Sequence, residues 1–274
     1  KAFDAETFAT YQTNMTTILD RLRDEAKAQA ILLTPTMYDY ELRARKRGKN
    51  RAFDGYNEVL VRYGDWLKEV AKKRGLTAID LNAPMVAATK ELREEDPKAT
   101  LSRDGIHPAE PGHWVMAHAI LKGFGVTPTV SAVRVDAAAG TARCERAALT
   151  NLQAAPAGVR FDLLAEAVPM PYPADAKAVL DIVPFTEDLN QETLLVTGLA
   201  AGRYVLRVDE TAVGTYTAEQ LAAGVNLATN AAMPQHKQAR AVWQVEQKLQ
   251  KEVLAARRFR LMEKKKGYKN PDGT

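Results

Sequence analysis

The sequence predicts an α/β chain: a parallel sheet wrapped by helices, then a β-rich region, then a C-terminal helix. Three observations carry that expectation. Residues 1–126 alternate stretches of three-and-four-residue apolar spacing with apolar runs too short to be helices. Residues 127–231 change to two-residue alternation cut by Gly, Pro and Asn. Residues 232–274 return to a helical pattern and close on the polar "GYKNPDGT", which is expected to fray.

Taken in order, the opening helix carries Phe8, Tyr11, Met15, Ile18 and Leu22 on one face, with Asp4 placed to cap it. "AILLTP" (30–35) reads as a short buried strand stopped by Pro35, whose ring cannot donate to a ladder. The basic run "ELRARKRGKNR" (41–51) reads as a loop. A second amphipathic helix over about 54–73 presents Tyr56, Leu60, Leu67 and Val70. "LTAIDL" (76–81) is another buried strand, a helix follows over 84–95, and "GHWVMAHAILKGFG" (112–125) closes the first region. In the β-rich region, Tyr204, Leu206 and Val208 share one face of a hairpin whose turn is "DET".

Composition narrows the chemistry. The 274 residues are long enough for one large domain or two modest ones. No run of about eighteen apolar residues occurs, so no transmembrane segment is expected. The single cysteine, Cys144, excludes an internal disulfide and a cysteine-built zinc site; it reads as a small hydrophobe in a half-buried strand. A net charge of +4 is mild, so its distribution matters more. The basic run at 43–51 follows a strand, and strand C-terminal ends border the crevice of an open parallel sheet. There it could overhang the site and favour acidic substrates such as uronate-bearing or sulfated glycans, although a solvated loop with no substrate role is the favoured reading. The tail "RRFRLMEKKKGYK" lacks a nucleic-acid motif and suits a helix C-terminus, so no nucleic-acid partner is expected.

One stretch carries chemistry. In Asp104-Gly-Ile-His107-Pro, a carboxylate and an imidazole stand at i and i+3 in a loop that opens a helix. Gly105 permits a sharp turn and Pro108 fixes the exit. Such a loop lets the aspartate accept from Nδ1–H, which sets the tautomer and leaves Nε2 free to take a proton. His113 and His118, five apart on the following helix, do not share a face, and His236 is isolated in sequence. No metal is expected.

Asp104-x-x-His107-Pro, followed by Gly112-His113 and a helix containing Met116-Ala117 and Ile120-Leu121, resembles the final block of SGNH hydrolases, also called GDSL esterases. "FATYQTNMTTILDRLRDEAKAQAILLTPTMYD" resembles that family's helix and strand after its third block. "YNEVLVRYGDWLKEVAKKRGLTAIDL" resembles its next helix and strand, including Tyr56-Asn57 and Asp80-Leu81. Residues 198–228 are similar to the C-terminal extension of a bacterial subgroup. The resemblance implies a three-layer αβα, flavodoxin-like parallel sheet over 1–126, a β-rich accessory region over 127–231, and a helix and tail over 232–274. It implies that Asp104 and His107 are the acid and base of a serine esterase that needs no cofactor and deacylates a carbohydrate or lipid ester. Family habit further implies export from a bacterial cell.

The departure lies at the nucleophile. The family's Gly-Asp-Ser block and its oxyanion glycine and asparagine are absent. The chain holds two serines, Ser102 inside the acid–base loop and Ser131 in the β-rich region, and neither sits on a strand–turn–helix elbow. No nucleophile and no oxyanion hole are therefore assigned within 1–274. The sheet is expected to be truncated, with a raw strand edge and exposed apolar surface. The alternative is a non-catalytic carbohydrate- or protein-binding module on a decayed hydrolase scaffold.

Overall fold

The computed structural model describes residues 3–172 and 176–266. It forms a mixed α/β fold whose chain divides into two compact units, Lys1–Pro128 with Tyr172–Leu189, and Thr129–Pro171 with Asn190–Thr274.

The first unit begins with α1 (Ala5–Asp24), β1 (Ile31–Leu33) and α2 (Tyr40–Arg47), then a 3-10 turn over Lys49–Arg51. It continues through α3 (Tyr56–Arg74), β2 (Thr77–Ile79), α4 (Asn82–Glu95) and α5 (Glu110–Gly123). The two strands pair in parallel, with Leu32 opposite Ala78. The Asp4 carboxylate accepts from the Thr7 N–H at 2.6 Å, so the expected cap of α1 is present. Tyr11 and Met15 of α1 pack with Leu32, Leu67 and Ala71, but Leu19 is the residue most buried, and Ile18 stays exposed. The strand ends are tied together by polar groups. Thr34 Oγ1 donates to Asp80 at 3.1 Å and accepts from Leu81 N–H at 2.8 Å, while Asp80 caps α4 through the Asn82 and Ala83 amides.

The basic run is not the expected loop. Asp39 caps α2 by accepting from Leu42 N–H at 3.0 Å, and Gly48, at φ +82°, ends it. Three cations in its last turn complement the helix C-terminus. Among the described residues β1 pairs only with β2, and Ile31 and Leu33 are each 43% exposed. That is an open strand edge with an uncovered apolar face.

The second unit contains β3 (Thr129–Asp136), β4 (Thr141–Glu145), β5 (Ala147–Ala155) and β6 (Gly158–Ala165). After an excursion come β7 (Gln191–Thr197), β8 (Arg203–Val208), β9 (Thr211–Thr217), α8 (Ala218–Ala223), β10 (Val225–Asn226) and the long α9 (Pro234–Lys266). A four-stranded sheet runs β10-β7-β3-β4, and β5-β6 and β8-β9 are hairpins. Tyr204, Leu206 and Val208 do share a face, packed on a core of Val133, Val135, Leu194 and Val196. Asp209, at φ +49°, makes their turn. Cys144 sits half-buried in β4, where burial pushes its thiol up.

The excursion is where the expected 127–231 boundary and the observed packing differ. Residues 172–189 leave the β-rich region and belong to the first unit, as α6 (Lys177–Leu180) and α7 (Phe185–Leu189). Val179 and Val183 fill the core built on Met85, Leu101 and Val115. Phe185 stacks edge-on against Trp114 at 5.6 Å.

Candidate active site

Asp104 and His107 lie in the loop between α4 and α5, and the loop is built by hydrogen bonds that few of its own side chains advertise. Arg103 N–H donates to the His107 carbonyl at 2.8 Å, and Ala109 N–H to the Leu101 carbonyl at 2.8 Å, closing a tight hairpin. Ser102 fills the hairpin. Its hydroxyl donates to the His107 carbonyl at 3.0 Å and accepts from Gly105 N–H at 2.9 Å. This buried serine shapes the backbone beneath the histidine. Ser131, 2% exposed in β3, presents no hydroxyl at a surface.

The Asp104 carboxylate is gripped locally. Oδ1 accepts from the Ile106 and His107 amides at 3.0 and 2.9 Å. The imidazole Nδ1 stands 3.2 Å from Oδ1 and 3.1 Å from Oδ2. The His107 backbone N–H, and with it the ring and the Ile106 amide, outweigh the opposing effect of burial and hold the Asp104 carboxyl far below the usual carboxylate range. It is therefore an anion whenever the ring needs an acceptor. The His107 side chain is 74% exposed, so the Nε2 edge opens to solvent. The sequence-predicted pair is thus brought together, in the orientation where the carboxylate takes Nδ1–H and leaves Nε2 as the basic atom.

Beneath the loop lies a group the sequence reading missed. Asp39, whose side chain is 1% exposed, accepts from both Arg93 Nη2 (2.9 and 2.8 Å) and Thr100 Oγ1 (2.8 Å). Burial alone would raise its carboxyl, but the bonds from Arg93, Leu42 N–H and Thr100 outweigh it and hold the pKa below its ordinary value. Its backbone N–H donates to the Gly105 carbonyl at 2.9 Å, and Thr100 Oγ1 accepts from Ser102 N–H at 3.1 Å. A chain of hydrogen bonds thus joins a buried ion pair to the residues that carry His107. The available signal was Asp39 standing just before "YEL", a capping position overshadowed by the charge run behind it.

His113 is exposed on α5. His118 Nε2 lies 2.9 Å from Asp188, which also accepts from Lys122 at 2.9 Å, tying α7 to α5. His236 is buried at the start of α9, where desolvation and then Arg240 lower its pKa. Among the described residues, no group of three or more His, Cys, Asp and Glu side chains is placed to hold a metal. No helix of the described residues is long and apolar enough to cross a membrane.

No family model and no curated protein matches the chain. Among solved structures it is similar to a gut microbial diltiazem-metabolizing enzyme, with a TM-score of 0.74 and 30% identity over 86% of this chain and 55% of that one. It also matches a catalytic mutant of an acetylxylan esterase from Geobacillus stearothermophilus, at a TM-score of 0.31 and 20% identity over 42% of this chain and 46% of that one. A second mutant of that esterase overlaps at 0.30 and 20%, over 43% and 47%. The chain thus spans about half the length of the solved structures it matches. Its α/β fold is similar to that of a solved enzyme over most of its residues.

Proposed function

We propose that the intact protein is an ester hydrolase of the SGNH type in which His107 is the general base and Asp104 its orienter. In this reading residues 1–126 are the C-terminal part of the hydrolase domain, roofed by the returning segment 172–189, the rest of 127–231 is a β-rich accessory region, and 232–274 is the C-terminal helix and tail. The serine and the oxyanion donors stand outside 1–274. The observation that carries the reading is the Asp104–His107 pair itself: Nδ1 at 3.1 Å from an ionised carboxylate and an open imidazole edge. The likeness to a solved enzyme over most of the chain supports it.

The chemistry follows from the pair. The serine hydroxyl attacks the acyl carbonyl while Nε2 removes its proton. The carboxylate of Asp104 balances the imidazolium, which then returns the proton to the departing alcohol. Water repeats the cycle on the acyl-enzyme. The test is acetyl-ester hydrolysis by the full-length protein. His107→Ala should lower kcat by about 10³-fold or more, while His113→Ala should retain most of it. Equal losses in the two variants would refute the assignment.

A further inference from the structure

The basic helix is fastened to the loop that carries His107. Arg43 Nη1 donates to the Asp104 carbonyl at 3.3 Å, Arg45 to the Lys98 carbonyl at 3.2 Å, and Lys46 Nζ to the Arg103 carbonyl. Arg103 is in turn bonded through its amide to the His107 carbonyl. Cations of α2 therefore reach the imidazole's own backbone within two links. Four of the acids on or beside this helix already have partners. Asp39 and Glu41 are paired with Arg93 at 2.8 and 3.0 Å. Asp104 serves His107, with Arg43 at 3.7 Å, and Asp54 accepts from the Gly55 amide. Arg45, Lys46, Arg47, Lys49, Arg51 and Arg103 are exposed, and among the described residues none has a carboxylate within 4.0 Å. Such a cluster of cations without ionic partners draws anions toward the loop that carries His107, to whose backbone α2 is bonded.

We infer that this cationic rim binds polyanionic sugar chains, so that the ester substrate is carried on an acidic glycan bearing carboxylate or sulfate groups. The inference rests on the esterase reading for the word substrate, but not for binding. A single-stranded nucleic acid would call for aromatic rings between the cations to stack bases, and residues 43–51 contain none; a duplex, held through its phosphates, is an outcome of the test. A carbohydrate supplies what the rim and the base require together: fixed negative charge and acylated hydroxyls on one chain.

The test uses residues 1–274 as they stand, with backbone amide shifts followed by NMR during titration with an oligogalacturonate, a sulfated oligosaccharide, a neutral xylo-oligosaccharide and a duplex DNA oligonucleotide. The inference requires that one of the acidic glycans shift residues 45–51 and 103–107, that the affinity fall several-fold as ionic strength rises to about 0.15 M, and that the neutral sugar leave these residues unmoved. Arg47→Glu with Arg51→Glu should weaken the acidic glycan about tenfold while keeping the thermal midpoint; Arg47→Lys with Arg51→Lys should retain it and guards against a folding artefact. Equal binding of the neutral sugar, shifts confined to α9, tighter binding of DNA at the same residues, or no binding by either acidic glycan would each overturn it. His107→Ala in the full-length protein separates the two ideas, because it should stop hydrolysis and leave glycan binding intact.

Discussion

At Gly105 a single hydrogen atom decides whether the site can form. Its φ is +89°, and a Cβ there would stand 2.7 Å from the Asp39 carbonyl and 2.8 Å from Arg43 Cβ. The first obstacle is backbone already bonded to Gly105, so it has nowhere to retreat. Gly105→Ala is expected to destabilise the chain by about 1–3 kcal/mol and to move the Asp104 and His107 amide shifts, as urea denaturation and NMR would show. Unchanged stability would mean that α2 does not press on the loop. Glu192 makes a second residue-scale case. It is 5% exposed, Oε2 has no hydrogen-bond partner among the described residues, and burial pushes its carboxyl up to about 7. The folded chain therefore keeps a proton that the unfolded chain gives up above its ordinary value of 4.5. Stability should fall as pH rises from about 4.5 to 7 and then level off, by about 3 kcal/mol at most. Glu192→Gln should flatten that part of the curve and be the more stable protein above pH 7. A wild-type curve that is flat across this window would contradict the assignment.

At the scale of elements, helix and strand were legible where side-chain periodicity and burial coincide. The hairpin of β8 and β9 repeats Tyr204, Leu206 and Val208 at period two because only one face meets the core. The basic run failed for the opposite reason. α2 buries Leu42 alone and exposes four of its eight residues, so it carries no apolar period, and tertiary bonds to the carbonyls of 98, 103 and 104 hold the helix. The Asp104–His107 pair was readable because its partners are three residues apart. The support under it was not, since Asp39 meets Arg93 and Thr100 across 54 and 61 residues. A spacing rule sees local pairs and is blind to closures of that length.

For the whole molecule, the chain passes from the first unit to the second, back, and out again. A fragment ending at Pro128 would keep the Asp104–His107 loop but lose Val179, Val183 and Phe185, uncovering Met85, Leu101 and Val115. That fragment is expected to bind a hydrophobic dye strongly and melt without cooperativity, whereas residues 1–274 should show a cooperative transition. Equal cooperativity in the two would mean that α6 and α7 add nothing to that core. The open edge of β1 is a separate liability, common to both polypeptides.

That returning segment also sets a timetable. On the ribosome, α1 to α5 emerge well before α6 and α7, so the first unit must wait, half-roofed, while β3 to β6 are being translated. A pause in translation just after residue 128 would hold the apolar interior in water longest, and a pause after residue 189 would let it close.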